Sequence, residues 1–145
     1  MSEFRDYNSI DKKGKPTKLT IASGPVIIED NKVLLDKHGE DPFWKFPGGA
    51  LDENRAPKEN AIFEAKSELG IDIKILSKPF VLVLEREKKG VSEYVILIHY
   101  LAKRLSKEIK PGKYVREHAW HSINRLPADC APNIELAVNH FSKNK

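Results

Sequence analysis

The 145-residue chain balances 25 Lys+Arg against 21 Asp+Glu, a formal net charge of +4, and 40% of its residues are hydrophobic. That length and apolar content suit one domain with a real core and exclude wholesale disorder. The single cysteine, Cys130, excludes an internal disulfide framework and a cysteine zinc cluster, and no apolar run approaches the ~20 residues of a membrane span. The start of the chain, Met1 to Asp6, lacks the apolar segment of a secretory leader. The mixed charge is not a DNA-binding footprint, so the expectation is a cytoplasmic domain with no membrane or DNA partner.

In chain order, residues 1–17 are polar and read as an N-terminal arm or a loose leading strand, with one domain over 18–145. Leu19 to Ile28 is rich in Ile, Val and Thr, and Gly24-Pro25 marks a bulge or bend in that strand. A turn at Glu29-Asp30-Asn31 leads to a strand over Lys32 to Asp36. His38 to Pro42 is loop, and Phe43 to Phe46 is a short strand running into Pro47-Gly48-Gly49.

A helix follows, with Pro57 suited to its first position. Ala61, Ala65 and Leu69 recur as one buried stripe, and Gly70 provides a left-handed cap. Ile71 to Ile75 is a short strand. Phe80 to Arg86 and Tyr94 to Leu101 form a hairpin around Lys88-Lys89-Gly90. Val115 to Ile123 is a further strand, and Asn133 to Phe141 a closing helix with Ile134, Ala137, Val138 and Phe141 on its apolar face. Strands, helix, strands, helix give an α+β domain with the sheet between helices.

Residues 47–71 carry the chemistry. They comprise a glycine turn, a loop, and a helix with Glu64 and Glu68 one turn apart. At that spacing both carboxylates lie on one helix face. Like charges there repel, and a divalent cation between them reverses the sign. Oxygen-only ligation suits Mg²⁺. Taken alone, the pair also fits a solvated helix face.

The pair is not alone. From Gly49 to Ile71 the chain resembles the box of the Nudix hydrolase family, G-x5-E-x7-R-E-U-x-E-E-x-G-U, with no gap. Gly49, Glu64, Glu68, Gly70 and Ile71 match, and Ala65 matches loosely. Phe46-Pro47-Gly48-Gly49 is similar to the family's entry into the box, as is Trp120 followed by Leu126-Pro127. The resemblance covers roughly residues 19–141. It implies the Nudix fold, an α/β/α sandwich with a mixed sheet between helices. It also implies a pyrophosphohydrolase acting on a nucleoside diphosphate linked to another moiety. Mg²⁺ or Mn²⁺ would be held by Glu64, Glu68 and the carbonyl of Gly49, with Glu64 the catalytic residue.

Three diagnostic positions depart from the box: its first Glu is Arg55, its Arg is Phe63, and the first Glu of its Glu-Glu pair is Ser67. In the family the first Glu and the Arg form a bracing ion pair; here both have gone together, which avoids one unpaired charge. Ser67 leaves two box carboxylates where the family has three, which weakens cation binding. Ala56 stands where a capping Ser or Thr is common, so a cap worth ~1 kcal/mol is missing.

Outside the box, Glu117, three residues before Trp120, is the best candidate for a further metal ligand, ahead of Glu93 and Glu108. Asp52 and Glu53 would act through water. Lys37, His38 and Lys45 flank the glycine turn and Arg86 ends a strand, so these are candidate phosphate-holding groups. His99 reads as a packed, hydrogen-bonded histidine, and His118 and His121 lack a third partner at zinc spacing. Trp44 and Phe43 suit either base stacking or packing. Cys130 has no histidine beside it in sequence and reads as an incidental thiol.

Two functions follow. One is an impaired Nudix-type metal-dependent hydrolase. The other is an inactive binding module on the same scaffold, natural or engineered, contacting a protein partner or a second copy through Arg55, Phe63 and Ser67.

Overall fold

The computed structural model describes residues 8–10, 16–52 and 54–143. Most of the expected N-terminal arm lies outside them. Its described part, β1 (Asn8–Ile10), pairs antiparallel with the start of β2 (Pro16–Glu29).

β2 is the spine of a mixed sheet. A turn with positive φ at Asp30 and Asn31 returns the chain into β3 (Lys32–His38). After the glycine turn come β4 (Gly49–Ala50), α1 (Pro57–Leu69), β5 (Ile73–Ile75), β6 (Phe80–Lys88), β7 (Val91–Arg104), β8 (Val115–Ser122) and α2 (Asn133–Ser142). The main strand order is β5-β7-β2-β3-β8, with β6 on β7 and β4 on β2. β2 and β7 run parallel from Thr17–Ser92 to Ile27–Ala102.

The sheet is covered on both sides, so β3 is buried at consecutive positions, Val33 through Asp36. Val33 and Leu35 join Val26, Trp44 and Phe46 against Ile134, Val138 and Phe141 of α2. Leu34 points the other way, with Ile27 and Ala102, against Ala65 and Leu69 of α1. Each such aliphatic side chain contributes roughly 1.5–3 kcal/mol by burial. The two faces define the geometry of the site: even-numbered positions of β3 look toward α1, odd ones toward α2.

Three local features differ from the expectation. The Gly24-Pro25 pair makes no break in β2, whose register with β7 runs through it. Pro25 falls where β2 is laddered only toward β7, so its missing donor is tolerated. Gly24 is required instead by close approach: a methyl there would lie 2.0 Å from the Pro47 carbonyl oxygen. Phe43 to Phe46 forms isolated bridges, Trp44 to Cys130 and Lys45 to Asp36, with no extended ladder. The strand expected from Ile71 starts at Ile73, because Ile71 still belongs to the helix cap, its N–H donating to the Ala65 carbonyl.

α1 begins with Pro57 in its first turn, has no side-chain cap at Ala56, and ends on Gly70 at φ 66°. That left-handed residue turns the chain off the helix, as expected for a glycine cap.

Candidate functional site

The glycine turn is pressed between β2 and α1. Each carboxylate of the helical pair meets one glycine. A methyl group on Gly49 would sit 2.7 Å from Oε2 of Glu64, so Glu64 packs on the bare Cα of that residue. Glu68 Oε1 accepts the backbone N–H of Gly48 at 3.1 Å. The i, i+4 spacing and the two glycines thus bring both carboxylates onto one turn of backbone.

A buried network holds that turn. Asn60, fully buried on α1, donates through Nδ2 to the Gly49 carbonyl and to Ser23 Oγ, both at 3.1 Å. Ser23 in turn donates to the Pro57 carbonyl at 2.7 Å. Sequence reasoning missed Asn60; its signal was a polar residue beside the apolar stripe, directly before Ala61.

The second group missed is Asp36. It lies on the α1 face of β3 with no exposure. His38, on the same strand beyond a register shift at Lys37/His38, turns its Nδ1 onto Asp36 Oδ1 and lies 3.0 Å from Glu68 Oε2. A bulge is a common way to re-aim a side chain at a site. Burial lowers the His38 pKa, but the hydrogen bonds and charges of Asp36 and Glu68 outweigh it and raise the group to about 9. Burial pushes Glu68 up to about 8; the Asp36 charge and a hydrogen bond with Glu64 add to this against the pull of His38.

The altered box positions are organised too. The Arg55 guanidinium lies over the Phe63 ring, 3.7 Å from its centroid. Arg55 also reaches Asn60 Oδ1 at 3.4 Å and Asp52 Oδ2 at 3.6 Å. Ser67 is exposed on the helix. Asp52 caps its own turn through the Asn54 N–H, and Glu53 lies outside the described residues.

Several candidates are not brought to this turn. Glu117 is the cross-strand partner of Lys37, an odd position of β3, and so faces α2, away from Asp36 and Glu68. Lys37 lies 3.4 Å from Glu117, 3.5 Å from Asp129 and 4.9 Å from the centre of the Trp44 ring. Lys45 pairs with Asp41 at 3.1 Å. Arg86 pairs with Glu93, its ladder partner, at 2.6 Å, and Glu93 also accepts from Thr20. Glu108 pairs with Lys110. Of the basic candidates, His38 alone contacts a box carboxylate among the contacts of the described residues.

The remaining residues pack. Trp44 is buried against His121, ring centres 4.5 Å apart, and Phe43 packs against the same core. His99 is buried, with Nδ1 2.9 Å from the Phe80 carbonyl and Nε2 2.9 Å from Asn133, and burial lowers its pKa. The Cys130 thiol faces the Pro127 carbonyl, and burial raises its pKa. No helix among the described residues is long and apolar enough to cross a membrane.

The family model of the NUDIX domain matches residues 18–140. An ADP-ribose pyrophosphatase of Methanocaldococcus jannaschii is 28% identical over 123 residues, covering 83% of this chain and 68% of that protein. An 8-oxo-dGTP diphosphatase of Proteus vulgaris is 37% identical over 68 residues, 44% of this chain and 57% of that one. Among solved structures, a NUDIX hydrolase from Nitrosomonas europaea superposes with a TM-score of 0.75 at 18% identity, over 88% of this chain and 91% of that one. A MutT NUDIX hydrolase from Burkholderia pseudomallei does so at 0.68 and 23%, over 84% and 97%.

Proposed function

The chain belongs to the Nudix hydrolase family, and on that premise we propose that it cleaves, in the cytoplasm, the diphosphate bond of a nucleoside diphosphate linked to another moiety. One observation carries the reading: two carboxylates one helical turn apart are both seated on the glycine turn, Glu64 against Gly49 and Glu68 on the Gly48 N–H. This donor set, two carboxylates beside a peptide carbonyl, fits a hard divalent cation, Mg²⁺ or Mn²⁺. Glu64, Glu68 and the Gly49 carbonyl would hold it. When bound, such an ion neutralises diphosphate charge and makes water a nucleophile near neutral pH.

The chain's own residues supply the rest. Asn60 fixes the Gly49 carbonyl by donating to one of its lone pairs, leaving the other for a ligand. The Gly48 N–H orients the Glu68 carboxylate. Glu64, to which the described residues bring no backbone donor of this kind, is the group we assign to accept the proton of the attacking water. Ser67 offers a neutral hydroxyl where the family has a carboxylate, and we assign slower turnover to that exchange.

The interaction-module reading draws on Phe63. Arg55 lies over that ring, which supports an internal brace in place of a docking face.

The test is cleavage of ADP-ribose, 8-oxo-dGTP and a dinucleoside polyphosphate, the first two being the compounds for which two relatives are named. Release of a nucleoside monophosphate with Mg²⁺ or Mn²⁺, abolished by chelator, is expected. No metal-dependent turnover on a broad diphosphate panel overturns the assignment.

A further inference from the structure

We propose that Asp36, His38 and Glu68 form a binding site for a divalent first-row transition ion, with the imidazole Nδ1 of His38 as a ligand. The site rests on the hydrolase reading only in sharing Glu68.

The geometry gathers one donor from each of three residues on two elements. Asp36 and His38 come from the α1 face of β3, and Glu68 from the last turn of α1. One donor atom from each lies within 4.8 Å of the other two. The side chains of Asp36, Glu68 and His38 are 0, 11 and 19% exposed, so the cluster is desolvated but open at His38.

Hydrogen bonding alone leaves this cluster unsatisfied. His38 Nδ1 carries a single proton, and it faces two carboxylate oxygens, Asp36 Oδ1 and Glu68 Oε2. Among the described residues Asp36 Oδ2 is fully buried with no hydrogen-bond partner, and Glu68 Oε2 competes with Asp36 Oδ1 for that one Nδ1 proton. Buried acceptors without donors each cost about 1–3 kcal/mol. A dication satisfies several of them together. Its entry displaces the Nδ1 proton, and any proton held on Glu68, to solvent, because a ligating imidazole is neutral and a ligating carboxylate is ionised.

The donor types select the ion. Mg²⁺ favours all-oxygen shells, whereas imidazole suits Zn²⁺ and its first-row neighbours, and carboxylates complete a mixed set. The Glu64 side of the glycine turn has oxygens only. Glu68 joins the two, with Oε1 on the Gly48 N–H and Oε2 toward His38.

The test uses the whole chain, Co²⁺ and Zn²⁺ alone, and no nucleotide. Co²⁺ binding is followed by its visible absorption. Zn²⁺ binding is followed by the imidazole ¹⁵N resonances of the five histidines. Binding that resists excess Mg²⁺ and moves the Nδ1 resonance of His38 is expected. His38→Gln should weaken Co²⁺ binding at least ~10-fold, the lower end for losing even an outer-sphere partner. Asp36→Asn should weaken it similarly; if that variant fails to fold, the partly exposed His38 decides alone. Glu64→Gln should lose diphosphate cleavage while keeping the Co²⁺ spectrum. Equal Co²⁺ affinity in parent and His38→Gln, or an unmoved His38 resonance, overturns the site even if cleavage is intact. Absence of cleavage with the Co²⁺ signature present overturns the hydrolase reading and leaves this site standing.

Discussion

Arg55 lies with its guanidinium carbon 3.7 Å from the centre of the Phe63 ring. These are the two positions at which the family pairs a glutamate with an arginine. The loop is still tied to the helix here, but by a cation on an aromatic face, and the Nε–H of Arg55 donates to Asn60 Oδ1. Such a contact contributes ~0.5–1 kcal/mol at a partly exposed site. A double-mutant cycle of Arg55→Ala and Phe63→Leu, read by urea unfolding, should show coupling of that size. Phe63→Arg alone should destabilise by setting like charges together, and adding Arg55→Glu should recover more than the two singles sum to. Coupling within the ~0.3–0.5 kcal/mol scatter of independent sites would show that the stack does not hold the loop.

The box was legible because its geometry is local. Glu64, Glu68 and the apolar stripe follow from helical period, and Gly49 from its place before the loop. The Asp36–His38–Glu68 cluster was not, because it joins residues 30 apart through the packing of a strand on a helix, and the register shift at His38 leaves no sequence mark. Glu117 is the converse. Its distance from Trp120 says nothing of sheet face until β8 is laid against β3, and then the alternation assigns it to the side of Lys37. Asn60 was passed over because a buried asparagine looks like any polar neighbour of an apolar stripe until its partners, Ser23 and the Gly49 carbonyl, are in place.

Gly49→Ala probes the seat of Glu64. The added methyl meets Oε2 at 2.7 Å and Cδ at 3.0 Å, the far end of a flexible side chain. The carboxylate can swing aside for an off-rotamer cost of ~0.5–1.5 kcal/mol. Stability should therefore change little, while Mg²⁺ or Mn²⁺ affinity falls at least ~10-fold because the carboxylate is displaced from the carbonyl beside it. Calorimetric titration with thermal unfolding as control separates the two. Unchanged metal affinity would place the cation elsewhere.

The metal-free protein should lose stability as the solution turns alkaline. His38 is raised from 6.5 to about 9 and Glu68 from 4.5 to about 8, so the folded state holds more protons than the unfolded chain across this window. Stability then falls with pH, from about 4.5 to 8 for Glu68 and from about 6.5 to 9 for His38. In chelator, the unfolding temperature should drop between pH 6 and pH 9, and His38→Gln with Glu68→Gln should flatten that drop. An equally steep profile in the double variant would assign the loss to other groups.

Glu64 and Glu117 give the sharpest contrast in activity. Both are acidic candidates from the sequence, yet the fold seats Glu64 on Gly49 and turns Glu117 toward Lys37 on the α2 face. Glu64→Gln keeps size and helix propensity but removes the proton acceptor, so metal-dependent cleavage should fall at least ~10²-fold, the lower end for losing a general base. Glu117→Gln removes an exposed partner of Lys37, an ion pair worth ~0–1 kcal/mol, and the metal dependence of cleavage should stay that of the parent. Initial rates across a Mg²⁺ or Mn²⁺ titration decide between them. A shift of the metal midpoint in Glu117→Gln would mean that β8 swings its carboxylate around to the helix face when substrate binds. A Glu64→Gln enzyme as fast as the parent would move the proton acceptor off Glu64 altogether.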